Sequence, residues 1–469
     1  MTAARALAAG GAHPVLWDDS QSSRMQAEAE GFEVRDLTAA DWSGFAALVL
    51  SPGAPLTHPR PHWTVDRARA AGVEVIGDLE LFARALAAMP DAERPKVVAV
   101  TGTNGKSTTT ALIGWVLKQA GLTVHVGGNI GIGVLALPAP NADAAYVIEC
   151  SSYQLDLTTS FAPGVAILTN ITPDHLDRHG GMEGYVAAKA RLFANAREGA
   201  VALLGVDEPE GRDLLPELAG RWPGAAICTT HPGGSREPMK ATNAAVEGGA
   251  RIKDWVPGSA GMTGRVEAHP GVLTVEGVRI DITAARSLPG RHNAQNAAFA
   301  YAAARALGVP HAAAVQGLLT FPGLAHRMEE VGRLGRVRFI NDSKATNADA
   351  ARQALSSYDR VFWIAGGRAK AGGIDDLEDL FPRVVEAFLI GEAAGPFAAR
   401  LGDTPHRISG DMASAVKAAA GAAEATGRGE VVLLSPAAAS FDQYPDFEAR
   451  GEAFRAAVLN LGATPSDHG

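Results

Sequence analysis

A chain of 469 residues is too long for one compact core, so two or three domains are expected. Hydrophobic residues make up 47% and charged residues 20%, an ordinary globular balance, and no apolar run is long enough to span a bilayer. The net charge of −9, with no Lys/Arg cluster, argues against nucleic acid as a partner; cations that hold an anionic substrate must be few and individually placed.

The N-terminus is too weakly apolar for a signal peptide, so a cytoplasmic location is expected. Cys150 and Cys228 are too few for a disulfide framework or a zinc site and read as reduced thiols.

Residues 1–94 alternate helix and strand. Arg5–Gly10 looks like the end of a helix, His13–Asp19 a strand closing on two acids, Ala46–Leu50 a strand running into Ser51-Pro52-Gly53, and Val73–Ile76 a third strand. A strand that ends in an acid after a helix is normally the second strand of a dinucleotide-type unit. The expected first strand and its glycine-rich turn have no counterpart here, as if Met1 were internal to a longer reading.

Pro90–Pro95 reads as a linker. Lys96–Val100 is then a strand, Thr101–Lys106 a loop and Ser107–Ala120 a helix; Ala144–Glu149 and Val165–Leu168 are buried strands, and Glu183–Ala196 a helix. Residues 229–275, rich in Gly, Pro and Ala, read as irregular strands and loop. Asn293–Leu307 is helical until Gly308-Val309-Pro310 breaks it. Strand and helix alternate again through Val337–Ile340, Arg360–Ala365, Phe388–Ile390 and Val431–Leu434 to a closing helix at Asp446–Leu461. The fold expected is α/β in three domains: an N-terminal Rossmann-like domain lacking its first strand (1–94), a central P-loop-type ATPase domain (95–308) and a C-terminal Rossmann-like domain (309–469).

The strongest chemical signal is Thr101-Gly102-Thr103-Asn104-Gly105-Lys106-Ser107-Thr108-Thr109, between an apolar strand and a helix. Glycines let the backbone approach phosphates, and the helix N-terminus offers them free N–H groups. Lys106 would reach the terminal phosphates and Ser107 would ligate Mg²⁺. Val100 stands where the strict motif has glycine, so the loop is a shortened variant. Glu149, at the end of an apolar strand, would be costly to bury without a role and supplies a metal ligand. His175 lies at another strand exit, within Thr169-Asn170-Ile171-Thr172-Pro173-Asp174-His175-Leu176-Asp177. Lys189 alone reads equally well as a plain helix lysine. Further along, Asn341–Asn347, His326-Arg327, Gly366–Lys370 and Ser435–Tyr444 place polar groups at strand exits, with Asp342 fit to accept from a ribose and Lys344 and Thr346 to hold an anion.

Together these segments resemble the Mur ligase family, over nearly the whole chain and most strongly from Lys96 onward. The matching segments are Gly102–Thr108, Gly127-Gly128-Asn129-Ile130-Gly131, Glu149-Cys-Ser-Ser-Tyr-Gln154-Leu, the His175 segment, Gly290-Arg-His-Asn293-Ala-Gln-Asn296 and His326-Arg327. Asn341–Asn347 and Leu434–Gln443 look like the D-glutamate-adding branch, and the Asp-Asn-Pro-Arg signature of a diaminopimelate-adding relative is absent. The resemblance implies ATP-dependent ligation of D-glutamate to UDP-N-acetylmuramoyl-L-alanine through an acyl phosphate, in cell-wall precursor synthesis, by a monomer using ATP and Mg²⁺.

It further implies that Lys106, Glu149, His175 and Lys189 form the catalytic set. Ser107, Glu149, His175 and a carbamylated Lys189 would serve the metals. Gly102–Thr109, Asn293, Asn296, Arg327 and Asp342 would bind ATP. Asp19, Ser51, Pro52, Gly53, Asn129 and Gln154 would face the UDP substrate. Lys344, Thr346, Lys370, Ser440 and the Phe447 backbone would capture D-glutamate. The family's first glycine-rich turn is missing, which predicts weak binding of the UDP substrate and an unstable first domain. The competing readings are another ATP-dependent amide ligase, such as a folylpolyglutamate synthase, and a nucleotide-binding protein without ligase activity.

Overall fold

The computed structural model describes residues 1–195, 197, 199–221, 226–229, 264–275, 278–369 and 372–466. The chain divides into two compact units. One comprises Met1–Ala268, Val272–Ile282 and Gln295–Leu318; the other comprises His269–Gly271, Thr283–Ala294 and Leu319–Gly469.

The first unit opens with α1 (Thr2–Ala9), β1 (Val15–Leu16), α2 (Gln21–Ala29), β2 (Glu33–Val34), β3 (Ala47–Val49), α3 (Trp63–Ala70), β4 (Glu74–Ile76) and α4 (Asp78–Ala87). Among the described residues β1 pairs in parallel only with β2, and β3 only with β4, giving two separate two-stranded sheets. The predicted strand at His13–Asp19 shrinks to Val15–Leu16. A small core of Leu37, Trp42, Ala68 and Val73, flanked by Val15, Trp17, Leu48 and Val75, holds these strands. α4 belongs elsewhere: Leu79, Phe82, Ala83 and Leu86 enter the core of the large sheet that follows.

Glu80 anchors that packing. It is fully buried and accepts from the amides of Thr159 (2.8 Å) and Ser160 (2.9 Å), with Arg84 Nε at 3.0 Å. Burial raises its pKa, but the Ser160 and Thr159 amides and Arg84 outweigh that and hold it down to about 2.

The large sheet comprises β5 (Lys96–Thr101), β6 (Thr123–Gly128), β7 (Ala144–Glu149), β8 (Val165–Leu168), β9 (Val201–Gly205), β10 (Ala226–Thr229), β11 (Gly264–His269), β12 (Val272–Val275) and β13 (Val278–Asp281). Their order is β13-β12-β11-β10-β9-β8-β5-β7-β6. β7 and β8 are buried at every residue, as expected of parallel strands covered on both faces. The helices are α5 (Lys106–Gln119), α6 (Ser152–Asp156), α7 (Leu176–His179), α8 (Met182–Ala190), α9 (Pro209–Arg221), α10 (Gly290–Ala306) and α11 (His311–Leu319).

The chain leaves β5, runs out to β6, returns through β7 and then crosses to β8 on the other side of β5. Ligands of open parallel sheets bind at such a reversal, beyond the strand C-termini. The helix expected to reach Ala196 ends at Ala190, where the tighter turn Arg191–Phe193 buries Leu192 and Phe193. Of the segment 229–275, β11, β12 and the end of β10 are regular strands, and 230–263 lies outside the described residues.

The second unit is built on β14 (Glu329–Leu334), β15 (Val337–Asn341), β16 (Val361–Gly366), β17 (Val384–Ile390), β18 (His406–Gly410), β19 (Val431–Leu434) and β20 (Thr464–Pro465), ordered β18-β17-β16-β19-β15-β14-β20. Five strands, β15 to β19, run parallel, and β14 pairs antiparallel with β15 and β20 at one edge. Its helices are α12 (Ala348–Ser356), α13 (Ala394–Leu401), α14 (Met412–Ala425) and α15 (Phe447–Asn460). Alternation splits the core in two: Trp363, Ala365, Leu389 and Leu433 face one side, and Phe362, Ile364, Phe388 and Leu434 the other. Among the described residues no helix is long and apolar enough to cross a membrane.

Candidate active site

The loop between β5 and α5 is held by the exit of β8. Thr103 N–H donates to Asn170 O (2.9 Å) and Asn104 N–H to Asn170 Oδ1 (2.9 Å), while Thr169 Oγ1 donates to Asn104 O (2.7 Å). Gly102 has φ +145°, and a Cβ there would lie 1.9 Å from Thr169 Oγ1. Gly105, at φ +79°, forms the N-cap of α5, and its Cβ would lie 2.7 Å from Asn296 Oδ1. Both glycines are therefore required by the close approach of other groups. Lys106 Nζ folds back to Thr103 O (2.7 Å), Ser107 and Thr109 are buried and Thr108 is half-buried in the first turn. Asn296, on α10, accepts from Thr109 Oγ1 at 3.0 Å and so lies beside the Gly102–Ser107 loop within this unit.

Glu149 lies opposite Val100 in the β5–β7 register, one residue before the loop strand ends. Its carboxylate is buried; Oε1 accepts from Asn129 Nδ2 (2.9 Å), whereas Oε2 is buried with no hydrogen-bond partner. An orphaned anionic oxygen beside Ser107's helix fits a divalent cation that completes its shell with phosphate and water oxygens. Among the described residues no three His, Cys, Asp or Glu groups cluster as a ready-made metal cage. Lys189, 1% exposed, donates from Nζ to Gly102 O at 2.6 Å. Burial, then the charge of Lys106, pushes its amine well below the usual lysine range, against the pull of Asp174 and Glu149. His175 caps α7 with left-handed φ 53°, its ring 5.1 Å from that of Tyr153 and its Nε2 3.4 Å from Asp174 Oδ2.

The residues expected to face the UDP substrate are spread along the first unit. Asn129 is committed to Glu149, and Gln154 closes a capping box with Ser151 while donating to Asp78 Oδ2 (3.0 Å). Asp19 accepts from His62 Nε2 (3.0 Å) and from the indoles of Trp17 and Trp63 (3.3 Å each). The His62 bond keeps its carboxyl below the ordinary range. Ser51, Pro52 and Gly53 form the turn after β3, closed by Ala54 N–H to Ser51 O at 2.9 Å.

In the second unit Arg327 precedes β14, Asp342, Lys344 and Thr346 follow β15, Ser440 follows β19 and Phe447 opens α15, alongside residues that sequence reasoning passed over. Asp342 is buried and accepts from Ser435 Oγ (2.9 Å) and Met328 N–H (3.3 Å); burial raises its pKa to about 7, against the Ser435 bond and the Arg327 charge. Asn293 donates to Pro289 O (3.0 Å) in the first turn of α10, next to His292, which burial and Arg327 depress to about 4. Lys344 Nζ sits 3.7 Å over the Phe447 ring, and Thr346 N–H donates to Lys344 O. Ser440 is buried, and its carbonyl receives the amides of Gln443 and Tyr444. Lys370 lies outside the described residues.

Arg450 is the principal omission. It is 1% exposed and donates to Ser343 Oγ (3.0 Å), Ser343 O (2.8 Å) and Ala438 O (2.9 Å), while Ser343 Oγ donates to Phe447 O (2.8 Å). One guanidinium thus ties the β15 exit, the β19 exit and the start of α15. His326, left-handed at φ 61°, bonds Asn341 Nδ2 through Nδ1 (3.0 Å), and a Cβ on Gly451 would lie 2.1 Å from that nitrogen.

Comparison with known proteins places this architecture. Residues 100–304 match the Mur ligase middle domain and residues 326–438 the glutamate ligase domain of Mur ligases. The chain is 58% identical to the UDP-N-acetylmuramoylalanine–D-glutamate ligase of Caulobacter sp. (strain K31), over 98% of this chain and 94% of that one. It is 54% identical to the enzyme of the same name from Phenylobacterium zucineum, over 100% and 95% respectively. Among solved structures, UDP-N-acetylmuramate–alanine ligase from Thermotoga maritima superposes with TM-score 0.56 at 16% identity, covering 98% of this chain and 96% of that one. Folylpolyglutamate synthase from Mycobacterium tuberculosis reaches TM-score 0.56 at 15% identity, covering 83% and 95%. The fold alone therefore does not separate these ligases, but the sequence identity does: this chain belongs to the Mur ligase family.

Proposed function

We propose that this protein joins D-glutamate to UDP-N-acetylmuramoyl-L-alanine at the expense of ATP, through an acyl-phosphate intermediate, in peptidoglycan precursor synthesis. Identity of 58% with a ligase of that name across 98% of the chain supports the substrate pair. The observation that carries the chemistry is the Gly102–Ser107 loop facing Glu149, whose Oε2 is buried and unpartnered. Ser107 and Glu149 would hold Mg²⁺, with Lys189 and His175 supporting the metal side. Bound there, the cation would neutralise phosphate charge.

Lys106 and the α5 amides would cradle the triphosphate and offset charge gathering on its terminal group, so an anionic carboxylate can approach. Asn296 would belong to this nucleotide set; Asn293, Arg327 and Asp342 are assigned to ATP by the family resemblance. Lys344, Thr346, Lys370, Ser440 and the Phe447 backbone would hold the amino acid so that its neutral amine attacks the activated acyl carbon and phosphate leaves. Asp19, Ser51–Gly53, Asn129 and Gln154 would serve the UDP substrate. On this reading residues 1–94, 95–308 and 309–469 act as three functional domains of a cytoplasmic monomer.

The test is phosphate release from ATP with UDP-N-acetylmuramoyl-L-alanine, comparing D-glutamate with L-glutamate, L-lysine and diaminopimelate. Release that requires D-glutamate is the expected result. Release indifferent to the amino acid would reject the substrate assignment.

A further inference from the structure

Five side chains in or just after the Glu149 and His175 segments have no part in the scheme above, yet they form a closed assembly. His179 Nδ1 lies 3.1 Å from Asp156 Oδ2, and its Nε2 lies 3.0 Å from Ser152 Oγ. A carboxylate only accepts, so Nδ1 carries a proton toward Asp156 while Nε2 pairs with the serine hydroxyl. Ser152 and Asp156 are the first and last residues of α6, so both ring nitrogens are spent on one short helix. The His179 side chain is 2% exposed.

The locked imidazole supports a ring. Tyr153 stacks on His179 with centroids 5.4 Å apart and planes 15° apart, and the Arg178 guanidinium carbon lies 4.7 Å from the Tyr153 centroid. The next ring reached from Tyr153 is His175, at 5.1 Å and 52°. The His175 ring also lies 3.4 Å from Asp174 Oδ2. His175 has a left-handed backbone and a side chain 42% exposed, and it begins a helix of only 4 residues.

We infer that Tyr153, clamped by the Ser152–His179–Asp156 lock, is a positioning residue that fixes the His175 ring at the reaction centre. Tyr153 touches no reacting atom on this view; it acts through His175. The inference deepens the proposed function and rests on the role given there to His175.

The experiment is steady-state kinetics of D-glutamate-dependent phosphate release for Tyr153→Leu, Tyr153→Phe, His179→Gln, His175→Ala and the double variant Tyr153→Leu/His175→Ala, with a melting curve for each. Tyr153→Leu is expected to lower kcat about tenfold or more while KM for ATP holds. Tyr153→Phe keeps the ring and restores kcat to within about twofold of the parent, and His179→Gln, which loses the stacked ring, falls between. The double variant should be no slower than His175→Ala alone, because the two side chains act as one. Fully additive losses, or a Tyr153→Phe protein as slow as Tyr153→Leu, overturn the inference even if Tyr153→Leu melts early. A His175→Ala protein at the parent rate instead removes the role of His175 itself, a separable failure.

Discussion

The region up to α3 and the sheet around β5 follow the same strand–helix rhythm, yet they are differently made. β7 and β8 are buried at every residue and hydrogen-bonded on both sides. β1 and β3 have no fully buried residue, and among the described residues each is paired along one edge only. Parallel strands gain stability from burial on both faces and both edges, so rhythm alone does not make a robust sheet. The proposed chemistry follows the same division: the Gly102–Ser107 loop and Glu149 lie at the ends of β5 and β7, and Lys189 donates to Gly102 O beside them. Local stability should follow it too, with amides of β1 and β3 exchanging with solvent much faster than those of β5 and β7.

The largest effect expected is at Lys106. Lys106→Ala should cut kcat about 10³-fold, since its charge would offset that gathering on the terminal phosphate. A parent-like rate would detach the covered sheet from the chemistry. Glu149→Gln should cost about 10²-fold in kcat at fixed Mg²⁺ without lowering stability, because an amide keeps the Asn129 contact and removes a buried unpaired anionic oxygen. A falling melting temperature would show that this carboxylate is structural.

Glu80 fastens α4 to the covered region. Glu80→Ala leaves the Thr159 and Ser160 amides buried and should cost about 3 kcal/mol in denaturant unfolding. The sign in pH follows from its depressed pKa: its contribution is complete above the ordinary 4.5 and disappears as pH falls through about 2. Parent and variant should therefore converge in stability only in strong acid.

The sequence was most legible where a local signal sufficed. Continuous apolar runs marked β7, β8 and β19 at their observed ends, and the glycine–lysine–serine loop announced the start of α5. β18, with exposed and half-buried residues only, carries no such pattern, and β2 is two residues long. Lys189 and Arg450 look like surface cations on helices. Their burial depends on partners 87 and 107 residues away, Gly102 and Ser343, which no helical period reveals. Glu80 was missed for the same reason: its amide partners lie 79 and 80 residues downstream. One hint existed for Arg450, since the loops it ties were already picked out as polar strand exits.

The meeting of His326 with α15 links two distant positions of the chain. Gly451 lies inside a regular helix, where alanine would ordinarily be the better residue, and nothing in its own backbone calls for glycine. The space a methyl group would take is filled by the imidazole of His326. The two sites therefore vary as a pair: a side chain at 451 is admissible only in a protein whose residue 326 has given up the ring, and with it the bond to Asn341 that steadies the β15 exit.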